Sequence, residues 1–419
     1  MYKRVLESYG GSSDEIISKV KNAFNKSGRP IMNYSEISDS VKYEELENKT
    51  RFKPDIHCGQ RKLFMSELRF LNEETNGTGL VIYAGGCPGN HLYELSIYYP
   101  NIRFLIIDPS GFQPYITEYM RFEHNRYKRI ILKWDNTKPE YDKIRNITDD
   151  INQIGELWLG PTRLYWIKDL CSTELINKLL SLVEPHQVDY YLWSDIRTGE
   201  GEAGIFGFND NKIDTQQNVL DSDIYQNLAL QYIWIRDTKP KSSMVKFRAP
   251  FYNRPELLED IKNLIENDDI RNAPELCMME GYDNHEFKYP NGQIYLQPWT
   301  KKSSTEARMV IRQGTELVTF NAYEYDDKFN YYNLIERPIR KHNVGINNYD
   351  FGYCECNDCA IELDTLRNYV RKNEVYIRDR FKITHKMYTK KIVCKLGLRL
   401  STILGKYILE SKNHGMNRY

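Results

Sequence analysis

The stretch that most constrains the fold is residues 81–112, VIYAGGCPGNHLYELSIYYPNIRFLIIDPSGF. An apolar run over residues 80–84 breaks at Gly85-Gly86-Cys87-Pro88-Gly89. A helix-compatible segment follows, and a second apolar run, 104–107, ends at Asp108. Strand, glycine-rich turn, helix, strand and acid in that order make a mononucleotide-binding βαβ unit. Glycine lets the backbone approach a ligand where a Cβ would clash. An acid closing the second strand, about 20 residues beyond the turn, can accept from ribose hydroxyls. The turn is not G-x-G-x-x-G and no P-loop lysine follows it, so dinucleotides and ATP fit poorly. The glycine turn and the strand-end acid suit S-adenosylmethionine better. An ordinary βα turn would share the pattern, so other residues must decide.

A chain of 419 residues has room for one large α/β domain with additions, or for two modest domains. Lys+Arg and Asp+Glu both total 58, so net charge excludes no partner, but its distribution is uneven. Residues 366–419 hold fourteen Lys/Arg against three Asp/Glu. A basic end on an acidic body suits a polyanion or an acidic protein partner, and equally a solvated helix face. The opening MYKRVLESYGGSSDE is polar and does not read as a signal peptide. No run approaches the roughly 18 apolar residues of a membrane span. The cysteines are mostly scattered, in the manner of reduced intracellular thiols. Cys354-x-Cys356-x-x-Cys359 is the exception. Zinc there would want a fourth ligand such as His342 or Cys394, and neither sits at a diagnostic spacing, so no metal is assigned.

Taken in order, residues 14–24 form a short amphipathic helix. Leu63, Phe64, Leu68 and Leu71 then recur at helical spacing after Gly59-Gln60. Lys62 falls near the start of that helix, where the dipole does not favour a cation. After the βαβ unit, residues 129–132 read as a third strand ending at Trp134-Asp135, with Asp135 as an adenine acceptor. Residues 170–183 form an amphipathic helix, and 188–193 a buried strand that runs into Ser194-Asp195-Ile196-Arg197. Ligands of open α/β sheets gather at the carboxyl ends of strands, so Asp195 is expected at the same crevice as Gly85 and Asp108. A glycine-rich loop, 198–210, follows at that rim, and a helix starts at 223–230.

Residues 244–251 and 303–311 are strand-like runs that contain or adjoin charge, with 293–299 between them. Lys246 and Glu306 are then at least half-buried and need partners. A structural ion pair between the two is the simplest account. A terminal helix over 388–409 carries Ile392, Leu396, Leu400, Ile403, Leu404 and Ile408 on one face, with Lys391, Lys395 and Arg399 as a stripe beside it. The reading is an α/β fold with a mostly parallel central sheet flanked by helices. Residues 1–40 are an N-terminal extension, 41–345 the main domain, and 346–419 a basic helical extension packed on the core.

Lys62, Asp195, Lys246 and Glu306, all on strand or helix ends, make a set suited to one reaction. Ribose 2′-O-methylation needs a weak hydroxyl nucleophile aligned with a methyl sulfonium and relieved of its proton. A lysine does this if desolvation and nearby positive charge bring its pKa towards neutrality. Lys246 is the expected general base. Lys62 raises the local potential, while Asp195 and Glu306 orient the lysines and the ribose.

The chain resembles the poxvirus cap-specific mRNA 2′-O-methyltransferase, which doubles as the regulatory small subunit of the viral poly(A) polymerase. The resemblance rests on GQRKL (59–63), YAGGCPG (83–89), LIID (105–108), WSDIR (193–197), KFRAPF (246–251) and LQPW…STEAR (296–308). These motifs occur in order within a likeness spanning roughly residues 40 to 410. It implies a Rossmann-like S-adenosylmethionine-dependent methyltransferase fold from a large DNA virus. It implies that Lys62, Asp195, Lys246 and Glu306 are catalytic, and that Gln60, Tyr83, Gly85, Gly86, Gly89 and Asp108 bind the methyl donor. A 7-methylguanine cap is expected between aromatics at Tyr43 and Phe251, with Asp326 at one acidic position and Asn253 in place of a second acid. Ser110 stands where the family has an arginine. Arg197, Arg248 and Arg308 are expected RNA contacts. The implied partners are capped mRNA and a poly(A) polymerase catalytic subunit, in the virion and host cytoplasm. The rival within this resemblance is a catalytically silent RNA-binding accessory subunit, against which the intact quartet argues. An N6-adenine methyltransferase would want an Asn/Asp-Pro-Pro-aromatic motif, and none stands in a suitable place.

Overall fold

The computed structural model describes residues 14–26, 28–42, 59–87, 89–110, 144–152, 154, 162–196, 221–250, 285–300, 304–342, 353–380 and 389–404. In chain order the main elements are α1 (Asp14–Asn25), α2 (Gly59–Glu74), β1 (Thr78–Ala84), α3 (Asn90–Tyr98), β2 (Asn101–Ile107), β3 (Ile144–Asn146) and β4 (Leu164–Ile167). Then come α4 (Thr173–Val183), β5 (Tyr190–Ser194), α5 (Asp221–Thr238), β6 (Ser242–Phe247), β7 (Glu286–Pro290), β8 (Gln293–Tyr295), β9 (Ala307–Arg312) and β10 (Leu317–Asn321). Helices α6 (Ala322–Tyr331), α7 (Asn357–Lys372), α8 (Glu374–Arg380) and α9 (Thr389–Leu404) complete the set.

Eight strands form one sheet in the order β3-β4-β2-β1-β5-β6-β9-β8, with β7 and β10 paired separately. The first six run parallel, and β9 and β8 are antiparallel additions at one side. This is a Rossmann-like methyltransferase architecture. The parallel strands are apolar on both faces because helices cover both. In β1, Val81 and Tyr83 join a cluster with Phe64, Leu68, Leu363 and Leu396, while Leu80, Ile82 and Ala84 face Ile176, Leu179 and Trp234. Alternation along the strand thus sends successive side chains into different cores, which is why the run looks unbroken in sequence.

The strand beside β2 is β4, a four-residue LYWI segment that the sequence reading did not mark. The expected strand at 129–132, with Asp135, lies outside the described residues.

The described part of the N-terminal segment is woven into the body. Val20 and Ala23 of α1 are buried with Ile335 and Ile339, and Leu296 donates its N–H to the Met32 carbonyl at 2.9 Å. At the other end α9 buries Ile392, Leu396 and Leu400. Arg399, read as part of a basic stripe beside the apolar face, is 3% exposed and donates from Nε and Nη2 to Glu94 of α3. The charge faces a helix 305 residues away in sequence, which helical periodicity within α9 cannot reveal.

Candidate active site

In the sheet order β2 and β5 flank β1 on opposite sides, so the chain leaves β1 in one direction and returns on the other. That topological switch point is where open α/β sheets leave a crevice at their carboxyl ends. Ala84 pairs with Ile107 and with Ser194, so the glycine turn stands between Asp108 and Asp195. Gly85 has φ +72, and a Cβ there would lie 3.0 Å from the Cα and N of Ile196. The missing side chain lets the Asp195 segment close on the turn, an approach sealed by the Asp195 N–H to Ala84 carbonyl bond of 3.0 Å. Gly89, also left-handed at φ 65, precedes the first residue of α3. A Cβ on Gly86 would press on the Tyr83 ring at 3.1 Å.

Asp108 sits 6% exposed with its carboxylate already at work. Oδ2 accepts from the Cys87 N–H at 2.9 Å, and Oδ1 accepts from the Ser110 N–H at 2.8 Å and its hydroxyl at 2.5 Å. An ionised carboxylate has about four acceptor sites, so one remains for a ribose hydroxyl. The residues present therefore fit a nucleoside-bearing methyl donor: a side-chain-free turn at the crevice and an acid with residual acceptor capacity. Tyr83, expected against the donor, is 2% exposed, and its hydroxyl donates to Glu67 at 2.8 Å. That hydroxyl is not available to a ligand, so Tyr83 shapes the site from beneath. Gln60 lies 2.8 Å from His91 Nδ1, while His91 Nε2 is 2.8 and 2.9 Å from the Glu67 oxygens. Because Nε2 faces a carboxylate, the proton belongs on that nitrogen. Glu67 and His91 were not singled out in sequence. The available signal was a glutamate within the apolar periodicity of α2, between Phe64 and Leu68.

The structure brings Lys62, Asp195, Lys246 and Glu306 together. Lys246 Nζ is 3.5 Å from Asp195 Oδ1 and 3.4 Å from Glu306 Oε2, and Lys62 Nζ is 2.5 Å from Glu306 Oε1. Each comes from a different element: Lys62 from the first turn of α2, Asp195 just past β5, Lys246 near the end of β6, and Glu306 just before β9. The Lys246–Glu306 contact expected as a plain ion pair is thus one edge of a larger network.

Arg308, expected to touch RNA, is 2% exposed, and its Nη2 donates to Asp195 at 2.8 Å. Its described contacts are thus inside the network and not at the surface. It is the direct cross-strand partner of Lys246, and two cations so placed repel unless acids intervene; Asp195 and Glu306 do. Burial works against the charge on Arg308, but these two carboxylates outweigh it and hold the guanidinium above its ordinary range. Arg248, two residues beyond Lys246, is half-buried.

Behind the quartet, Arg61 is 1% exposed and bonds Glu362 through Nε at 2.9 Å and Nη2 at 2.5 Å. Glu362 also accepts from Trp299 at 2.7 Å and Tyr353 at 2.6 Å. This cage fixes the turn of α2 that carries Lys62.

Of the expected cap pocket, Asp326 is buried on α6 at 0% exposure. The segment ending at Lys42 is tied to the same helix: Val41 N–H donates to the Asp327 carbonyl, and Asn330 Nδ2 to the carbonyls of Val41 and Lys42. Tyr43, Phe251, Asn253 and Arg197 lie outside the described residues. No helix among the described residues is long and apolar enough to cross a membrane.

Sheet order, glycine turn and strand-end acid define the chain as a Rossmann-like α/β protein of the methyltransferase type. A family model described as Poly A polymerase regulatory subunit matches residues 26–121. The cap-specific mRNA (nucleoside-2'-O-)-methyltransferases of Myxoma virus, strains Lausanne and Uriarra, are each 24% identical to it over 336 residues, covering 77% of this chain and 75% of theirs. The chain is thus similar to poly(A) polymerase regulatory subunits over residues 26–121 and to poxvirus cap methyltransferases over most of its length.

Proposed function

We propose that this protein moves a methyl group from S-adenosylmethionine to the ribose 2′-hydroxyl of the first transcribed nucleotide of m7G-capped RNA. The observation that carries the reading is Lys246 held between two carboxylates, each already engaged by another cation, beside a glycine turn at the sheet's switch point.

When bound, the donor supplies an electrophilic methyl on sulfonium; the chain's residues prepare the hydroxyl. Lys246 must be neutral to take the 2′-OH proton at Nζ. With Lys246 neutral, Lys62 and Arg308 balance Asp195 and Glu306, so the cluster carries no net charge. Arg308 competes for the Asp195 oxygen that would otherwise hold the Lys246 proton, and Lys62, on the other oxygen of Glu306, partly neutralises that carboxylate. Both effects favour release of that proton. Asp108 has an acceptor site for the donor's ribose, and Gly85 and Gly86 keep Cβ atoms out of the crevice. The cap is taken by Tyr43 and Phe251, with Asn253 and Asp326 along its edge, and Arg197 and Arg248 meet RNA phosphates, a salt-sensitive term.

The family match over residues 26–121 favours a second role beside the first, as a regulatory subunit of a poly(A) polymerase, paired with its catalytic chain in the virion and host cytoplasm.

The test is methyl transfer from labelled donor to short RNA beginning m7GpppG, beside the same RNA uncapped, with Lys246→Ala in parallel. Label on the first-nucleotide ribose, dependent on the cap and reduced about 10²–10⁴-fold in the variant, is the expected result. Label on a base, label independent of the cap, or full activity in Lys246→Ala would refute the reading. Capped RNA bound with no label at all would leave only the accessory role.

A further inference from the structure

Outside the crevice, Cys354, Cys356 and Cys359 bring three sulfurs within 4.8 Å of one another. Two of them precede α7, and Cys359 sits in its first turn. Cys354 Sγ and Cys359 Sγ are 3.6 Å apart, and the Cys354 N–H points to the Cys359 sulfur at 3.4 Å. A disulfide would need about 2.05 Å. Sulfurs sharing a tetrahedral ion at about 2.3 Å stand roughly 3.8 Å apart, which the observed separation approaches.

A second observation points to the same place. His342 is 1% exposed, and its backbone N–H donates to the carbonyl of Glu355, between two of the cysteines. Its Nδ1 lies 3.2 Å from the Gly28 carbonyl, and its Nε2 is buried with no hydrogen-bond partner among the described residues. A ring proton fixed on Nδ1 by a carbonyl, leaving Nε2 as a lone pair, is the usual support for a metal-bound imidazole.

We propose that Cys354, Cys356 and Cys359 bind a single thiophilic divalent ion, zinc by preference, with His342 as the fourth ligand. His342 is assigned as the fourth ligand on its buried Nε2 and on the backbone bond that ties it to Glu355. Soft thiolates with one imidazole select zinc over magnesium or calcium. The role is structural. Tyr353, next to Cys354, and Glu362, one turn beyond Cys359, belong to the cage that holds Arg61 beside Lys62. An ion tying the loop to the first turn of α7 fixes that cage from behind, apart from the methyl-transfer chemistry.

The experiment is titration of reduced, metal-free, full-length protein with cobalt(II), followed by competition with zinc. One equivalent should bind with the near-ultraviolet charge-transfer absorption of three thiolates, release protons as the thiols ionise, and be displaced by zinc. Cys354→Ser and Cys359→Ser should lose the absorption, and His342→Ala should keep it with binding weakened about 10-fold or more. The metal-bound protein should melt at a higher temperature than the metal-free one. No cobalt absorption in the folded parent, absorption unchanged in Cys359→Ser, or a chain mass two lower from a Cys354–Cys359 disulfide in freshly purified protein would overturn the site. Unaltered affinity in His342→Ala would remove the fourth ligand. Circular dichroism of the serine variants separates lost binding from lost fold.

Discussion

Replacing Arg308 with glutamine tests the electrostatic design of the quartet. Lys246 Nζ and Arg308 Nη2 lie 3.5 and 2.8 Å from the same Asp195 oxygen. The two cations therefore stand within roughly 6 Å, where unit charges repel by about 3 kcal/mol at an effective dielectric of ~20 and about 0.7 kcal/mol in water. The Arg308 charge therefore disfavours the protonated form of Lys246. Glutamine removes the repulsion and frees Asp195 to hold the Lys246 ammonium, and both changes act in the same direction. The base is active only when neutral, so kcat/KM should rise with pH and level off once Lys246 has lost its proton. In Arg308→Gln that limb should move to higher pH. Arg308→Lys keeps the charge and should move it little. The assay is methyl transfer to capped RNA across pH, with donor binding measured alongside. Losing one member of a buried pair costs about 3–5 kcal/mol, so a melting curve must show that the variant is folded. A folded variant whose limb stays in place, or moves to lower pH, refutes the reasoning.

Gly85→Ala places a Cβ 3.0 Å from the backbone of Ile196 at a φ of +72; it should cost about 1–2 kcal/mol from the left-handed conformation alone. Donor affinity should fall by calorimetry, and unchanged binding with unchanged stability would remove the close approach as the reason for glycine. Glu362→Ala removes the carboxylate that Arg61, 1% exposed, shares with Trp299 and Tyr353. It should destabilise the fold by about 3–5 kcal/mol in chemical denaturation, while Glu362→Gln, which keeps an acceptor, should cost less.

Lys62, Asp195, Lys246 and Glu306 were legible because each lies beside an apolar run whose end the sequence marks. A charge there must either find a partner or serve a site. The glycine turn and Asp108 were legible through local backbone demands, although Gly85 turned out to face the Asp195 segment as well as the crevice. The carboxylate partners of Arg308 and Arg399 were not legible, because a charged residue on an alternating strand or an amphipathic helix does not show its partner until the element packed against it is known. Glu67 and His91 escaped notice for a related reason. In the described structure α2 is buried from Arg61 to Leu71, so its polar residues meet one another instead of water.

Sequence by itself determined the periodicities, the βαβ turn and the residue types that ribose chemistry would need. These depend on backbone geometry and side-chain chemistry within a few residues of one another. Tertiary structure decided which charges meet: it set Arg308 behind Asp195, Arg399 against Glu94, and Glu362 around Arg61. Those pairings span 113, 305 and 301 residues. The partner of a buried charge is fixed by which elements pack together, and packing is a property of the whole chain.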